Sequence, residues 1–256
     1  MLIYGINPVI EALKARRVTA LRVASRADDR ARQIERLAGE QGVPVRRVGA
    51  DELDRAAGGP GHRHQGVIAE VGDGASCRVE DLIVGAARAP LIVVLDGIED
   101  PHNVGAILRT VDAAGGDGIV RQSRHAAPLG GATAKASAGA VAHVKVADVV
   151  NIARSLEVLK EAGVWTVGLA GDAAKRYDEI DYKLPTAVVV GSEGTGLRRL
   201  VRDRCDWLVS IPMRGHVQSL NVSVATGIVL FEAVRQRQQT AEPAVRRISG
   251  RSEPRS

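Results

Sequence analysis

Three short stretches of this chain carry residue types that chemistry needs. "DGIEDPHNVGAILRT" (Asp96–Thr110) presents Asn103 and Arg109. "VVVGSEGTGLRRL" (Val188–Leu200) puts Glu193 at the apex of a glycine-rich turn. "SIPMRGHVQSLNVSVATGIVLFE" (Ser210–Glu232) sets Ser219 and Asn221 in a polar run between two apolar elements. Amide, guanidinium, carboxylate and hydroxyl groups orient a substrate or help a proton move. Glycine lets a ligand approach the backbone closely.

Each residue also has a plain structural use. Asn103 stands where a helix should begin and is an expected cap, as is either Ser219 or Asn221. Glu193 could cap the helix at "LRRL", and Arg109 could simply be solvated. Asn103 and Arg109 lie about 1.7 helical turns apart, so they do not share a helix face. With Asn103 at the cap, both still reach the strand ends. The glycines at 191, 194 and 196 fit neither a phosphate-binding loop ending in Gly-Lys-Ser/Thr nor a dinucleotide fingerprint. A nucleotide-dependent oxidoreductase is therefore disfavoured. Cys77 and Cys205 are far apart and lack paired spacing, and His102, His125, His143 and His216 are scattered, so no metal site is expected.

The elements that must position these groups alternate. "LIVVLDGI" is a near-continuous apolar run, as in a strand buried on both faces of a parallel sheet. "GIV", "HVKVAD", "WTVGLAG", "AVVVGSEG" and "WLVSIPM" read as further strands. "HNVGAILRTVDAAGG", "IARSLEVLKEAG" and "SLNVSVATGIVLFEAVRQRQ" read as helices. The pattern predicts an α/β domain over 90–237 with a mostly parallel sheet. Ligands in such sheets bind beyond the carboxyl ends of the strands. Those ends are Gly168–Gly171, Gly191–Gly196 and Ile211–His216, which carry the polar stretches. Thr226 and Gly227 within the last helix permit close approach of another helix. Residues 1–72 read as a smaller α/β module, with strands at "ALRVAS", "VPVRRV" and "GVIAEV" and helices at "GINPVIEALKAR" and "DDRARQIERLAGEQG", the latter with Asp28 and Asp29 at its positive end. Residues 73–89 read as a linker with a short helix around "VEDLIVGAA" and little that could build a core. Residues 238–256 read as a basic disordered tail.

The 256 residues are 45% apolar and 25% charged, enough for a sizeable core. Aromatics are only 2%, which disfavours base stacking as the main binding mode. The net charge of +5 favours an anionic partner, nucleic acid first. Candidate phosphate contacts in the small module are Arg16, Arg17, Arg22, Arg46, Arg47, Arg63 and His64, the last two within "GPGHRHQG". The N-terminus is too polar for a signal peptide and no apolar run approaches membrane-spanning length, so a cytoplasmic protein is expected.

"LDGIEDPHNVGAILRTVDAAG", "VVVGSEGTGLRR" and "SIPMRGHVQSLNVSVATGIVLFEAVRQR" resemble, in order and spacing, the three signature motifs of the SpoU (TrmH-like) RNA ribose 2'-O-methyltransferases of the SPOUT superfamily. "YGINPVIEALKA" through "HQGVIAEV" resembles that family's L30e-like substrate-binding domain. The resemblance spans about residues 2–237 and implies a deep trefoil knot, an exception to unknotted chains. It implies S-adenosylmethionine as cofactor, held around Leu169, Gly191, Ile211 and Leu220. It implies a homodimer whose site draws on both subunits, with Asn103, Arg109, Glu193, Ser219 and Asn221 as the polar active-site set. The two-domain layout is most similar to members that methylate a guanosine of 23S rRNA. A tRNA or resistance-type rRNA methyltransferase, and a non-catalytic RNA-binding assembly factor on the same scaffold, are the alternatives. The resemblance suggests Arg109 as proton acceptor. A guanidinium stays protonated at ordinary pH, so contact with a phosphate or developing alkoxide is the preferred role.

Overall fold

A computed structural model of the chain describes residues 1–25, 29–59, 63–72, 77–124 and 126–239. Asp28, residues 60–62 of "GPGHRHQG", residues 73–76 of the expected linker, His125 and the expected tail from 240 onward lie outside the described residues.

The N-terminal module comprises β1 (Leu2–Tyr4), α1 (Ile6–Lys14), β2 (Val18–Ala24), α2 (Asp29–Glu40), β3 (Val45–Val48), α3 (Ala50–Ala56) and β4 (Val67–Val71). Its sheet runs β1-β4-β2-β3, with only β2 and β3 parallel. Val9, Ala12 and Leu13 of α1 pack with Leu21 and Val23 of β2 and Ala69 of β4, all buried. The sequence reading missed β1 and α3. A three-residue strand is too short to show an alternating pattern, and α3 buries only Leu53.

The second domain follows α4 (Val79–Val84). It contains β5 (Leu91–Asp96), α5 (Pro101–Ala113), β6 (Gly118–Gln122), α6 (Gly131–Ala136), β7 (Val146–Val149), α7 (Ile152–Glu161), β8 (Trp165–Leu169), β9 (Lys175–Arg176), β10 (Thr186–Gly191), α8 (Arg199–Arg202), β11 (Trp207–Ser210) and α9 (Val222–Gln239). Seven strands lie in the order β7-β6-β5-β10-β8-β11-β9, and every pairing is parallel. All six residues of β5 are buried, which explains their unbroken apolar run apart from Asp96. The chain builds outward from β5 to β7, crosses to β8, and then inserts β10 between β5 and β8. The ends of β5 and β10 thus form a topological switch point, where a crevice opens.

One face of this sheet is covered by α5 and α9, the other by α4, α7 and α8. Segment 77–89, expected to contribute little, does pack. Val79 and Leu82 sit one turn apart and are buried beside Ile152 and Leu156 of α7, and Cys77 bridges to Ala147 of β7. Gly227 faces Thr110 of α5, so the small residues of α9 admit α5, as their size suggested.

One seam joins the domains, and a second clasp closes the catalytic domain on itself. A Cβ at Gly130 would lie 2.4 Å from the Leu2 carbonyl oxygen, and one at Gly139 would lie 2.6 Å from Cβ of Glu11. Arg17 Nη1 donates to the carbonyls of Val141 (3.2 Å) and Ala142 (3.3 Å), while His143 Nε2 lies 3.0 Å from Glu11 Oε2. At the far end of α9, Arg237 donates to four carbonyls: Tyr182 (2.8 Å), Ala89 (2.7 Å), Pro90 (3.1 Å) and Leu184 (3.1 Å). Burial pushes its pKa below the usual guanidinium value.

Candidate active site

Asp100, not Asn103, begins α5. Its carboxylate accepts from the backbone N–H groups of His102 and Asn103, both at 3.2 Å, and Pro101 occupies the first helical position. Asn103 is therefore inside the first turn. Its buried side chain is released from capping and turns towards the other two motifs. Asn103 Nδ2 donates to Glu193 Oε1 (3.2 Å), and Asn103 Oδ1 accepts from Asn221 Nδ2 (2.8 Å). Asn221 Nδ2 also donates to Glu193 Oε1 (2.6 Å). One residue from each motif thus meets in a closed triangle. Asn221 is at the same time the cap of α9, because its Oδ1 accepts from Ser223 N at 2.9 Å. Ser219 does not cap.

The glycine-rich turn holds Glu193 in place. Gly194 and Gly196 have φ of 85° and 66°, values that disfavour other residues. The turn closes through Gly196 N to Ser192 O (2.9 Å) and a 2.6 Å contact between the Ser192 and Thr195 hydroxyls. A Cβ at Gly191 would lie 2.1 Å from the Gly196 carbonyl carbon, so only glycine lets the turn fold back over the end of β10. The turn ends at Arg198, whose backbone N–H and Nε donate to Asp96 at 2.8 and 2.7 Å.

Beside the triangle lies a cleft of about 670 Å³. Leu169, Gly191, Ile211 and Leu220, the expected cofactor contacts, all line it, as do Glu193, Ser219 and Asn221. Asn103 joins them through its hydrogen bonds. Arg109 does not. It is exposed on α5 and has no hydrogen bond or ion pair among the described residues. Six residues along a helix rotate a side chain to about 120° from the starting direction, so with Asn103 inside the helix Arg109 leaves the cleft. This corrects the expectation that both reach the strand ends within one chain.

The basic residues expected to meet nucleic acid divide. Arg16 and Arg63 are exposed and unpaired among the described residues, and Arg46 makes only a 3.5 Å contact with Glu52. The others are committed elsewhere. Arg17 holds the domain seam, Arg22 pairs with Glu70 (2.6 Å), and Arg47 forms two hydrogen bonds with Glu35. His64 lies 3.2 Å from Asp54 and accepts from Gly66 N. Sequence reading gave less weight to cationic and imidazole side chains just past β5, β6 and β11: His102 in the first turn of α5, and Arg124, Arg214 and His216 on loops, all exposed. Their position just past strand ends was the available signal. Among the described residues, no group of three or more His, Cys, Asp or Glu could hold a metal ion.

The cleft suits a nucleoside carrying a polar tail. Its volume lies within the range of small-ligand sites, Leu169, Ile211 and Leu220 give it apolar walls, and added Cβ atoms at Gly171, Gly194 and Gly196 would meet nothing within 4 Å, leaving backbone accessible. Residues 90–231 match the model of the SpoU rRNA methylase family.

The chain belongs to the SpoU rRNA methylase family.

Residues 2–73 match the model for RNA 2'-O ribose methyltransferase substrate binding. The chain is 42% identical over 241 residues to the 23S rRNA (guanosine-2'-O-)-methyltransferase RlmB of Pseudomonas aeruginosa, covering 92% of this chain and 96% of that protein. It is 43% identical over 241 residues to RlmB of Vibrio cholerae, covering 92% and 97%. The SpoU methyltransferase AviRb of Streptomyces viridochromogenes, solved in complex with AdoMet, superposes with a TM-score of 0.79 at 26% identity, covering 93% of this chain and 91% of that one. As a SpoU methylase the chain has its three motifs where the triangle and cleft meet.

Proposed function

We propose that this protein transfers a methyl group from S-adenosylmethionine to the ribose 2'-OH of a guanosine in 23S rRNA. The Asn103–Glu193–Asn221 triangle at the lip of the cleft carries the reading, together with the likeness to RlmB proteins along nearly the whole chain. The cofactor supplies an electrophilic methyl carbon bonded to a sulfonium. Gly191, Ile211 and Leu220 would hold it through backbone, with the turn after Leu169 beside them. An in-line displacement depends chiefly on positioning. Asn103 and Asn221 fix the Glu193 carboxylate, and these three with Ser219 orient the attacking ribose and the cofactor.

Arg109 completes the site from the neighbouring protomer of a homodimer. α9 supports this, because residues 222–231 are apolar nearly all round. Val222, Thr226, Val229, Leu230 and Ala233 face inward, while Val224 and Phe231 are exposed. A helix with two apolar faces calls for a second partner. α5 lies against α9, and across such a contact Arg109 would reach another protomer's cleft, where its guanidinium would stabilise the alkoxide or a phosphate. The knot and the domain limits 1–72, 73–89, 90–237 and 238–256 belong to the same proposal. Support for the knot is that Ser210, Ile211, Met213 and residues 218–222 line the cleft together with the turn after β10 before α9 packs on α5. A cytoplasmic location fits an rRNA substrate, and no helix among the described residues is long and apolar enough to cross a membrane.

The test is a mass-spectrometric map of ribose methylation in 23S rRNA and tRNA from cells with and without the gene. Loss of one 2'-O-methylguanosine in 23S rRNA is expected. Loss at a tRNA site alone overturns the substrate.

A further inference from the structure

One buried charge has no task in the reaction above. Asp96 ends β5 with its side chain fully shut from solvent (0% exposed). A buried carboxylate is costly unless paired and hydrogen-bonded. A single residue, Arg198, meets it three ways, through its backbone N–H at 2.8 Å, Nε at 2.7 Å and Nη2 in an ion pair. In sheet register Asp96 stands opposite Gly191, where β10 hands over to the Glu193 turn. Arg198 is where that turn ends. The turn therefore leaves the sheet beside Asp96 and is bonded at its other end to the Asp96 carboxylate. Among the described residues, the turn's internal hydrogen bonds are Gly196 N to Ser192 O and the Ser192–Thr195 hydroxyl contact.

We propose that Asp96 and Arg198 are a positioning pair that clamps the turn from Gly191 to Arg198, setting Glu193 against Asn103 and Asn221 and the turn's backbone against the cofactor. The role rests on the methyltransferase reading above. It differs from direct RNA contact, which the half-exposed Arg198 side chain would otherwise offer (49% exposed). Acting through the turn, the pair affects cofactor binding in the absence of RNA, and its effect on turnover runs through Glu193.

The test combines calorimetry with S-adenosylhomocysteine, without RNA, and turnover on rRNA. The variants are R198A, R198K, the paired replacement D96N/R198M, and R199A as a neighbouring exposed control. D96N/R198M removes both charges together and leaves no unpaired buried acid. R198A and D96N/R198M are expected to bind the cofactor about tenfold more weakly, the size of losing a charge-assisted contact. R198K is expected to recover part of that loss, and R199A to bind as wild type. Added to E193Q, R198A is expected to lower kcat far less than it does alone. Unchanged cofactor affinity in D96N/R198M and additive kcat losses with E193Q overturn the clamp, and a defect confined to RNA affinity assigns Arg198 to phosphate instead. A wild-type protein that binds no cofactor overturns the methyltransferase reading and the clamp with it.

Discussion

Glu193 receives two amide donors on one oxygen, so its carboxylate is held in a single orientation. Glu193→Gln leaves one carbonyl oxygen to accept from both amides but removes the carboxylate charge and turns the second oxygen into a donor. Turnover is expected to fall about 100-fold, the scale of losing one oriented polar group at a reacting centre. KM for RNA should change little, and single-turnover methylation of an rRNA fragment checks the split. Asn103→Ala should act in the same direction by leaving Glu193 with one donor. A second residue-scale effect lies away from the cleft. Burial alone would raise the Asp206 pKa, but hydrogen bonds from Lys160 and from the Thr166 hydroxyl and backbone N–H hold it below the usual carboxylate value. Its folded pKa is thus lower than its unfolded one. The stability it contributes is complete above the ordinary aspartate range, near pH 4, and is lost as pH falls through the depressed value. Asp206→Asn should lower Tm at pH 7, with the gap to wild type closing on acidification below about pH 4. Melting curves across pH measure it. At this scale the sequence was largely readable, because Asn103, Glu193 and Asn221 stand out as polar residues at strand ends. The error over the α5 cap had a specific source. "EDPHN" offers both Asp100 and Asn103 as caps, and Pro101 at the first helical position decides for Asp100. That shift places Asn103 in the triangle and takes Arg109 away from it.

Among the elements, α5 and α6 meet with no room to spare near the site. A Cβ at Gly105 would lie 2.5 Å from Cβ of Ala136, 2.7 Å from the Thr133 carbonyl oxygen and 2.9 Å from Ser137 N. Two of these are backbone atoms that cannot rotate away. Gly105→Val must push α5 off α6, at a cost of about 1–3 kcal/mol or more. Because α5 carries Asn103, activity should fall together with Tm, and thermal melts beside methylation rates check this. Strands buried on both faces were legible as apolar runs, since β5 and β10 have no solvent face to interrupt them. The order of strands was not. Insertion of β10 between β5 and β8 depends on contacts distant in sequence, which no local period reports. Nor could local reading tell which small-module cations were spent, because Arg17 finds its carbonyl partners 124 and 125 residues away.

Across the whole molecule, two surfaces are open to test. The outward face of α9 carries Val224 and Phe231, about half exposed each. Phe231→Glu places a charge in the proposed subunit contact. The variant should sediment as a monomer, keep most of its thermal stability if α9's inward face suffices, and lose activity if Arg109 must come from the other protomer. The second surface is the rim of exposed cations past the strand ends. Arg124→Ala with Arg214→Ala should weaken binding of an rRNA fragment and reduce the slope of log affinity against log salt by roughly 1 to 2. Equilibrium titrations at several salt concentrations would read it. The net charge of +5 pointed to an anionic partner, but charge totals do not say where charges lie.

The Arg237 clasp bears on the order in which the protein is made. Ala89 and Pro90 lead into β5 and leave the ribosome early, while the guanidinium that binds both their carbonyls comes almost 150 residues later. Until α9 emerges, the start of β5 and the approach to β10 at Tyr182–Leu184 lack that shared donor. The catalytic sheet can therefore assemble during synthesis but is fastened only near its end, and a chain that stops short of residue 237 stays unfastened.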